Sequence, residues 1–244
     1  MGIPENAAGI YRRVSQALKR SSKPANEVRL IAVSKTFPAE TVAGAMDAGL
    51  YRFGENRVQE IISKYKELID RSFVIEPDGN RAPVEWHFIG HLQTNKVKKL
   101  LEVPTRYIHS VDRLELAIEL DRQLQKRGES RDILIEVNTS GEESKSGVAP
   151  ERAIQLAREV AGFSTLKIKG LMTIGRLTDD AEVTRACFSN LRRLSDRVRE
   201  DGIDRVEMSE LSMGMSGDFE IAVEEGATMI RIGTAIFGGR GWKI

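Results

Sequence analysis

The chain has 244 residues, 41% hydrophobic and 30% charged, with 37 Lys plus Arg against 36 Asp plus Glu; this is the composition of a soluble globular protein, and its balanced charge excludes a basic field for nucleic acid. The single cysteine, Cys187, excludes an internal disulfide framework and a cysteine-based zinc cluster, and points to a reducing, cytoplasmic compartment. No run approaches the ~18 apolar residues of a membrane span, and the opening "MGIPENAAGIYRRVSQALKR" holds no apolar signal region.

Ile10, Val14 and Leu18 recur at helical spacing, predicting an amphipathic helix ahead of any strand. Short apolar runs then alternate with helical patterns. Strands are expected at 28–34, 51–54, 85–90, 107–111, 132–138, 167–174, 205–211 and 228–233. Helices opened by capping residues or an early proline are expected over 37–49, 55–69, 94–103, 111–128, 149–162, 179–201 and 216–227. Gly49, Gly128, Gly162 and Gly226 stand where left-handed C-caps belong. The polar stretch "EPDGNRAP" (76–83) reads as an exposed loop.

Strands alternating with helices imply a parallel sheet with right-handed crossovers. An open doubly wound sheet is the rival, but no G-x-G-x-x-G follows the first strand. The length is close to the ~250 residues of a closed barrel. The predicted fold is therefore α/β, a single (β/α)8 TIM barrel over residues 1–244 with an extra N-terminal helix.

"LIAVSKTFP" carries the first functional signal: an apolar strand ends in Lys35, at the barrel end where functional side chains gather. The bland reading is a charge bending out to water; the sharper one is an amine that does chemistry. Phosphate in such barrels is often bound by the loops after strands seven and eight. Here these are "LSMGMSGDFE" (211–220) and "RIGTAIFGG" (231–239), which offer backbone N–H groups and small residues. Ser216 is placed to cap the following helix or donate to a phosphate oxygen, and Gly233 and Thr234 offer amides and a hydroxyl. Closure of the barrel sets strand eight beside strand one, so this cradle and Lys35 share one side of the mouth.

Arg231 is a permanent cation inside the apolar run "TMIRIG" and needs an acceptor. That acceptor is either a strand carboxylate, Glu207 or Glu136, or a ligand atom. Lysine, cradle and arginine together fit pyridoxal 5'-phosphate, with a Schiff base on Lys35, the phosphate on Ser216, Gly233 and Thr234, and the ring nitrogen facing Arg231. A Schiff-base aldolase with a phosphorylated substrate uses similar parts.

The motifs "IAVSKTFP", "FGENRVQE", "WHFIGHLQTNK", "EVNTSGEESKSG", "GLMTIG", "LSMGMSGDFE" and "RIGTAIFG" resemble the pyridoxal-phosphate homeostasis protein family, in order and over nearly the whole chain. The resemblance implies a barrel of the alanine racemase N-terminal-domain type carrying covalently bound pyridoxal phosphate. It also implies a role in buffering and delivering that cofactor, with other B6 vitamers and apo pyridoxal enzymes as candidate partners. Carried over by position, the Schiff-base lysine is Lys35, Asn56 lies near the cofactor, and Met172 lines its pocket. Ser216, Gly233 and Thr234 hold phosphate, and Arg231 faces the pyridine nitrogen. Lys145 falls where the family has a lysine near a proposed second vitamer site, although a lysine in a Gly/Ser loop reads equally as solvated.

Arginine can only donate, so a ring nitrogen bonded to it stays unprotonated and the ring is a weak electron sink. Racemisation also needs an acid/base on each face of the substrate α-carbon. Lys35 serves one face, and none of Tyr11, Tyr51, Tyr65 and Tyr107 is an evident second base. The racemase fold takes its second base from a separate domain and the partner subunit, whereas this sequence ends at Ile244, just after strand eight. The expectation is a carrier with little or no catalysis; the alternative is a pyridoxal-phosphate-dependent amino-acid racemase of weak activity.

Other signals are set aside. His87 and His91 stand four apart but straddle a strand end and Gly90, so they share no helical face and no metal is expected. His109 reads as a satisfied barrel histidine. The lysines of "NKVKKLLE" (95–102) read as a solvated helix face without an aromatic platform for nucleic acid. Cys187, among Val183, Phe188 and Leu191, reads as a small core hydrophobe.

Overall fold

The computed structural model describes residues 2–22, 25–75, 81–142 and 145–239. Eight parallel strands close into a barrel in the order β1 (Arg29–Val33), β2 (Arg52–Glu55), β5 (Glu85–Phe88), β6 (Thr105–Val111), β7 (Arg131–Glu136), β8 (Leu166–Met172), β9 (Val206–Ser212) and β10 (Met229–Ile232). All eight are the expected strands, with ends shifted by a few residues. β10 pairs with β1 in parallel, Ile31 opposite Arg231, which closes the ring. β1 and β7 are four strands apart in either direction, so they face each other across the barrel.

The helices α2 (Ala39–Asp47), α3 (Val58–Glu67), α4 (Val97–Leu100, entered by a 3₁₀ turn at Thr94–Lys96), α5 (Leu114–Gln125), α6 (Pro150–Ala161), α7 (Ala181–Glu200) and α8 (Phe219–Glu224) bury their apolar stripes on the outer face of the strands. The N-terminal helix α1 (Ile3–Arg20) buries Ala7, Ile10, Val14 and Ala17. It lies along α8 and α9 (Thr234–Phe237), held by a two-pronged Arg13–Glu220 pair and by Asn6 donating to the carbonyl of Ile236 at 2.8 Å. Helix α1 thereby fastens the end of the chain that carries the last functional loop.

Three expectations need correction. Residues 81–83 of the stretch taken as a loop form β4 (Arg81–Pro83), which pairs antiparallel with β3 (Phe73–Ile75); residues 76–80 lie outside the described residues. Gly162 caps α6 in right-handed helical conformation at φ −65°, whereas Gly49, Gly128 and Gly226 have the expected positive φ. The last turn closes at Gly162 with its N–H donating to the Glu159 carbonyl at 3.3 Å, so no left-handed residue is required there. Finally, the loop after the last strand is a short helix, α9, which a four-residue apolar run does not betray.

Candidate functional site

The C-terminal ends of the strands surround a cavity of about 490 Å³, within the usual range for small-molecule sites. Lys35, Asn56, Ser216, Arg231, Gly233 and Thr234 all line it. Met172 does not. It is fully buried in the barrel interior against Ile31, Leu134, Met229 and Tyr107, and Ile174, two residues on, lines the cavity instead. A side chain that ends a strand pointing inward sits below the mouth, and the following loop residue reaches its rim.

Lys35 is held by its neighbours. The carbonyl of Ser34, just before it, accepts from Lys64 Nζ at 2.8 Å, and Lys64 Nζ also donates to Glu55 Oε1 at 2.6 Å. Ser34 Oγ donates to the same carboxylate oxygen at 2.7 Å. Just after Lys35, Thr36 has φ 70°, a conformation that strains a β-branched residue. Its N–H donates to Glu60 Oε2 at 2.7 Å, and that oxygen lies 3.7 Å from Lys64 Nζ. Burial pushes the Glu55 carboxyl above its ordinary pKa, against the pull of Lys64 and Ser34. The amine-bearing residue thus leaves β1 through a strained turn clamped on both sides by a buried charge cluster.

Across the β9 and β10 loops, Ser216 Oγ accepts from the N–H groups of Gly233 and Ala235, both at 3.3 Å. Ser216 does not cap α8, whose first residues are tied by Met215 N–H donating to Asp218 Oδ1. Two backbone donors aimed at one oxygen form a pocket that suits an oxyanion. Ala235 is a donor that sequence reasoning missed, because it belongs to the unrecognised α9. Gly214, at φ 91°, permits this approach: a Cβ there would stand 2.5 Å from Ala222 Cβ. Gly90 does the same on the other rim, where a Cβ would meet the Asn56 carbonyl at 2.3 Å; bare backbone lets the Asn56 loop fold in.

Arg231 is buried on the cavity floor, and burial pushes its pKa down to about 10, so it is charged at neutral pH. Neither expected carboxylate pairs with it. Glu207 pairs with Lys169 at 2.6 Å on the outside, and Arg231 gives Nη1 to Ser212 Oγ at 2.6 Å and Nη2 to the Thr173 carbonyl at 2.8 Å. Ser212 Oγ lies 3.0 Å from His109 Nδ1, and His109 Nε2 lies 3.0 Å from His87 Nδ1.

Ser212 Oγ accepts from Arg231 and keeps its own proton to donate to His109 Nδ1, and a His109 that carries its proton on Nε2 then donates to His87 Nδ1. Both imidazoles are neutral in that arrangement. This agrees with burial, which lowers both pKa values, His109 well below the ordinary range, with the Arg231 and Arg29 cations pushing it the same way. Arg231 is thus oriented by a polar chain through the barrel axis.

Glu136, which sequence reasoning weighed only as a partner for Arg231, ends β7 on the opposite wall of the cavity. It is 3% exposed, and its Oε2 has no hydrogen-bond partner. Lys145 lines the rim, pairing with Glu142 at 2.5 Å and donating to the Gly175 carbonyl at 3.1 Å. Residues 143 and 144 of its motif lie outside the described residues. His91 is half-exposed, 3.6 Å from Asp112, and Cys187 is buried in α7. Among the described residues, no three His, Cys, Asp or Glu side chains are grouped to hold a metal ion, and no helix is long and apolar enough to cross a membrane.

A closed parallel barrel with its donors gathered at one mouth defines the class, and residues 8–241 match the family described as alanine racemase, N-terminal domain. An alanine racemase of Clostridium difficile shares this fold with TM-score 0.71 at 16% identity, the match covering 96% of this chain and 56% of that one. A pyridoxal phosphate homeostasis protein of Aquifex aeolicus is 41% identical over 98% of this chain and 99% of its own length. The human protein of the same name is 38% identical, covering 100% and 88%. PipY of Synechococcus elongatus, solved with PLP bound, superposes with TM-score 0.81 at 36% identity, covering 97% of this chain and 100% of that one. The chain belongs to the pyridoxal phosphate homeostasis protein family.

Proposed function

We propose that this protein binds pyridoxal 5'-phosphate in the barrel mouth as a Schiff base on Lys35, and serves cytoplasmic homeostasis of the cofactor by buffering and delivering it, with little or no catalysis. The observation that carries this reading is the convergence on one cavity of Lys35, the buried guanidinium of Arg231, and Ser216 with Gly233, the serine oxygen being held by the N–H groups of Gly233 and Ala235. The donor set fits the cofactor group by group: an amine for the aldehyde, amides and the Ser216 hydroxyl for the phosphate, and a cation for the pyridine nitrogen. The names of the relatives and the PLP-bound PipY structure support the same reading.

When bound, pyridoxal phosphate supplies an electrophilic carbon and an electron sink. The residues here restrain that chemistry. Arg231 is charged at neutral pH and only donates, so it favours an unprotonated nitrogen and a weak sink. Among the described residues no tyrosine lines the cavity; Tyr107 is buried in the barrel interior. Gly233, Ala235 and Ser216 anchor the phosphate, and Lys35 tethers the ligand. The same site accommodates other phosphorylated B6 vitamers, and its open mouth suits transfer to apo pyridoxal enzymes.

Borohydride treatment of the cofactor-loaded protein should add the reduced pyridoxyl mass to Lys35, and Lys35→Ala should abolish both the visible absorbance and the adduct. A wild-type protein left colourless and unmodified by added cofactor refutes the reading. Incubation with L-alanine separates the alternative: turnover at ordinary enzyme rates of ~1 to 10³ per second would make the protein a racemase and not a carrier.

A further inference from the structure

Glu136 is the conspicuous unused group in the molecule. Arg231 directs Nη1 to Ser212 and Nη2 to Thr173, and neither bond goes to the Glu136 carboxyl. Its Oε2 is buried and unbonded, a condition that costs free energy unless a ligand or a proton relieves it. It lines the same cavity as Lys35, and because β7 is diametrically opposite β1, the two groups face each other across the mouth. The phosphate cradle lies between them, on the β9 and β10 side.

We propose that Glu136 is a contact residue for the anionic ligand and that its carboxyl takes up a proton as a phosphorylated pyridine enters, so that loading of the site is proton-coupled. The inference rests on the reading of this cavity as a pyridoxal-phosphate site. A dianionic ligand entering the cavity brings like charge toward a carboxylate that is itself buried, which responds by protonating; the neutral acid then donates from the oxygen that now lacks a partner.

The surroundings already favour this. Burial lifts the Glu136 pKa to about 7, with Asp112 after β6 pushing it up and Arg231 and Arg113 pulling it down. The remaining charged groups are accounted for. Asp112 is itself paired with Arg113 at 2.6 Å, and His91 lies 3.6 Å from it. Asp218, beside the β9 loop, is raised by burial and lowered by Arg231. Lys35 and Lys145 stand on the other walls of the cavity. Glu136 is thus poised to change charge near neutral pH, where additional negative charge tips it to the acid.

The test is calorimetric titration of the full chain with pyridoxine 5'-phosphate, whose alcohol cannot form a Schiff base and so excludes proton release from Lys35. Titrations at pH 7.5 in two buffers of different ionisation heat give the protons taken up per ligand bound. Wild type should take up about 0.8 proton more than Glu136→Gln, the fraction of a group of pKa near 7 that is ionised at that pH. The wild-type Kd should also rise more steeply with pH from 7 to 8.5 than that of the variant. Equal proton counts with saturable binding to both proteins overturn the role of Glu136 and leave the site reading standing. No saturable binding to either protein overturns the site reading and this inference with it. Should Glu136→Gln fail to fold, wild type alone decides: net uptake growing from pH 6.5 to 7.5 supports the coupling, and its absence refutes it.

Discussion

Lys64→Met tests the claim that a buried charge cluster holds Lys35 in place. Lys64 is 5% exposed and Glu55 fully buried, joined at 2.6 Å. Removing the cation leaves a buried carboxylate unpaired, which costs about 3–5 kcal/mol, a large share of the roughly 5–15 kcal/mol that holds a typical domain together. At roughly 2–4 °C per kcal/mol for a chain of this size, the melting temperature should fall by about 6–20 °C. The loss should depend on pH with a definite sign. Glu55 already has a raised pKa in the folded protein, and losing Lys64 raises it further. A raised carboxyl binds its proton more tightly folded than unfolded, so the deficit is full above the folded pKa and fades as pH falls toward the ordinary value of 4.5. Thermal melts of wild type and variant should therefore converge between pH 8 and pH 5. Adding Glu55→Gln should recover most of the loss at pH 8, since the unpaired charge is then gone. Freed from Lys64, the Ser34 carbonyl and the strained Thr36 turn no longer fix Lys35, and reduction-trapped cofactor should accumulate about tenfold more slowly, within the range expected of a small misplacement. A variant that melts within 2 °C of wild type at pH 8 (~1 kcal/mol) and loads at the same rate would refute the clamp.

Two further outcomes follow from the floor and cradle of the site. Ser216→Ala removes one hydroxyl of the proposed phosphate cradle and should weaken pyridoxine 5'-phosphate binding about 10- to 100-fold, the equivalent of one hydrogen bond to a charged group, while melting stays within about 1 kcal/mol of wild type; unchanged affinity would remove Ser216 from the phosphate site. His109 and His87 have pKa values lowered by burial, so the unfolded chain binds more protons below its ordinary histidine pKa, and their contribution to stability is full above pH 6.5 and lost as pH falls below it. Urea melts of His87→Asn/His109→Asn should show a shallower stability loss from pH 6.5 to 5 than wild type, and parallel curves would mean that the buried chain is not neutral.

Much of the barrel was legible because parallel strands buried on both faces read as nearly continuous apolar runs. Even so, three-residue strands such as β3 and β4 carry too little pattern to read, and the right-handed Gly162 cap depends on geometry that glycine's identity leaves open. Lys35 was recognisable as an amine at a strand end, Arg231 as a cation inside an apolar strand, and Ser216, Gly233 and Thr234 as small residues in the last two loops, whereas Asn56 came only from the family resemblance; the structure gathers all of them at one cavity. Lys64 has a readable sign in the sequence: Val58, Ile61 and Leu68 set a helical stripe, and a lysine stands on it where an apolar residue belongs.

The amino-acid order alone determined where strands and helices alternate and which amine and guanidinium stand at strand ends, because local periodicity and strand polarity are properties of neighbours in the chain. Only closure of the barrel decided that Glu136 faces Lys35, that Arg231 rests on Ser212, His109 and His87 instead of a carboxylate, and that Met172 drops below the cavity. Those groups lie tens to more than a hundred residues apart, and their meeting is set by strand order, register and the inward alternation of side chains around a closed sheet.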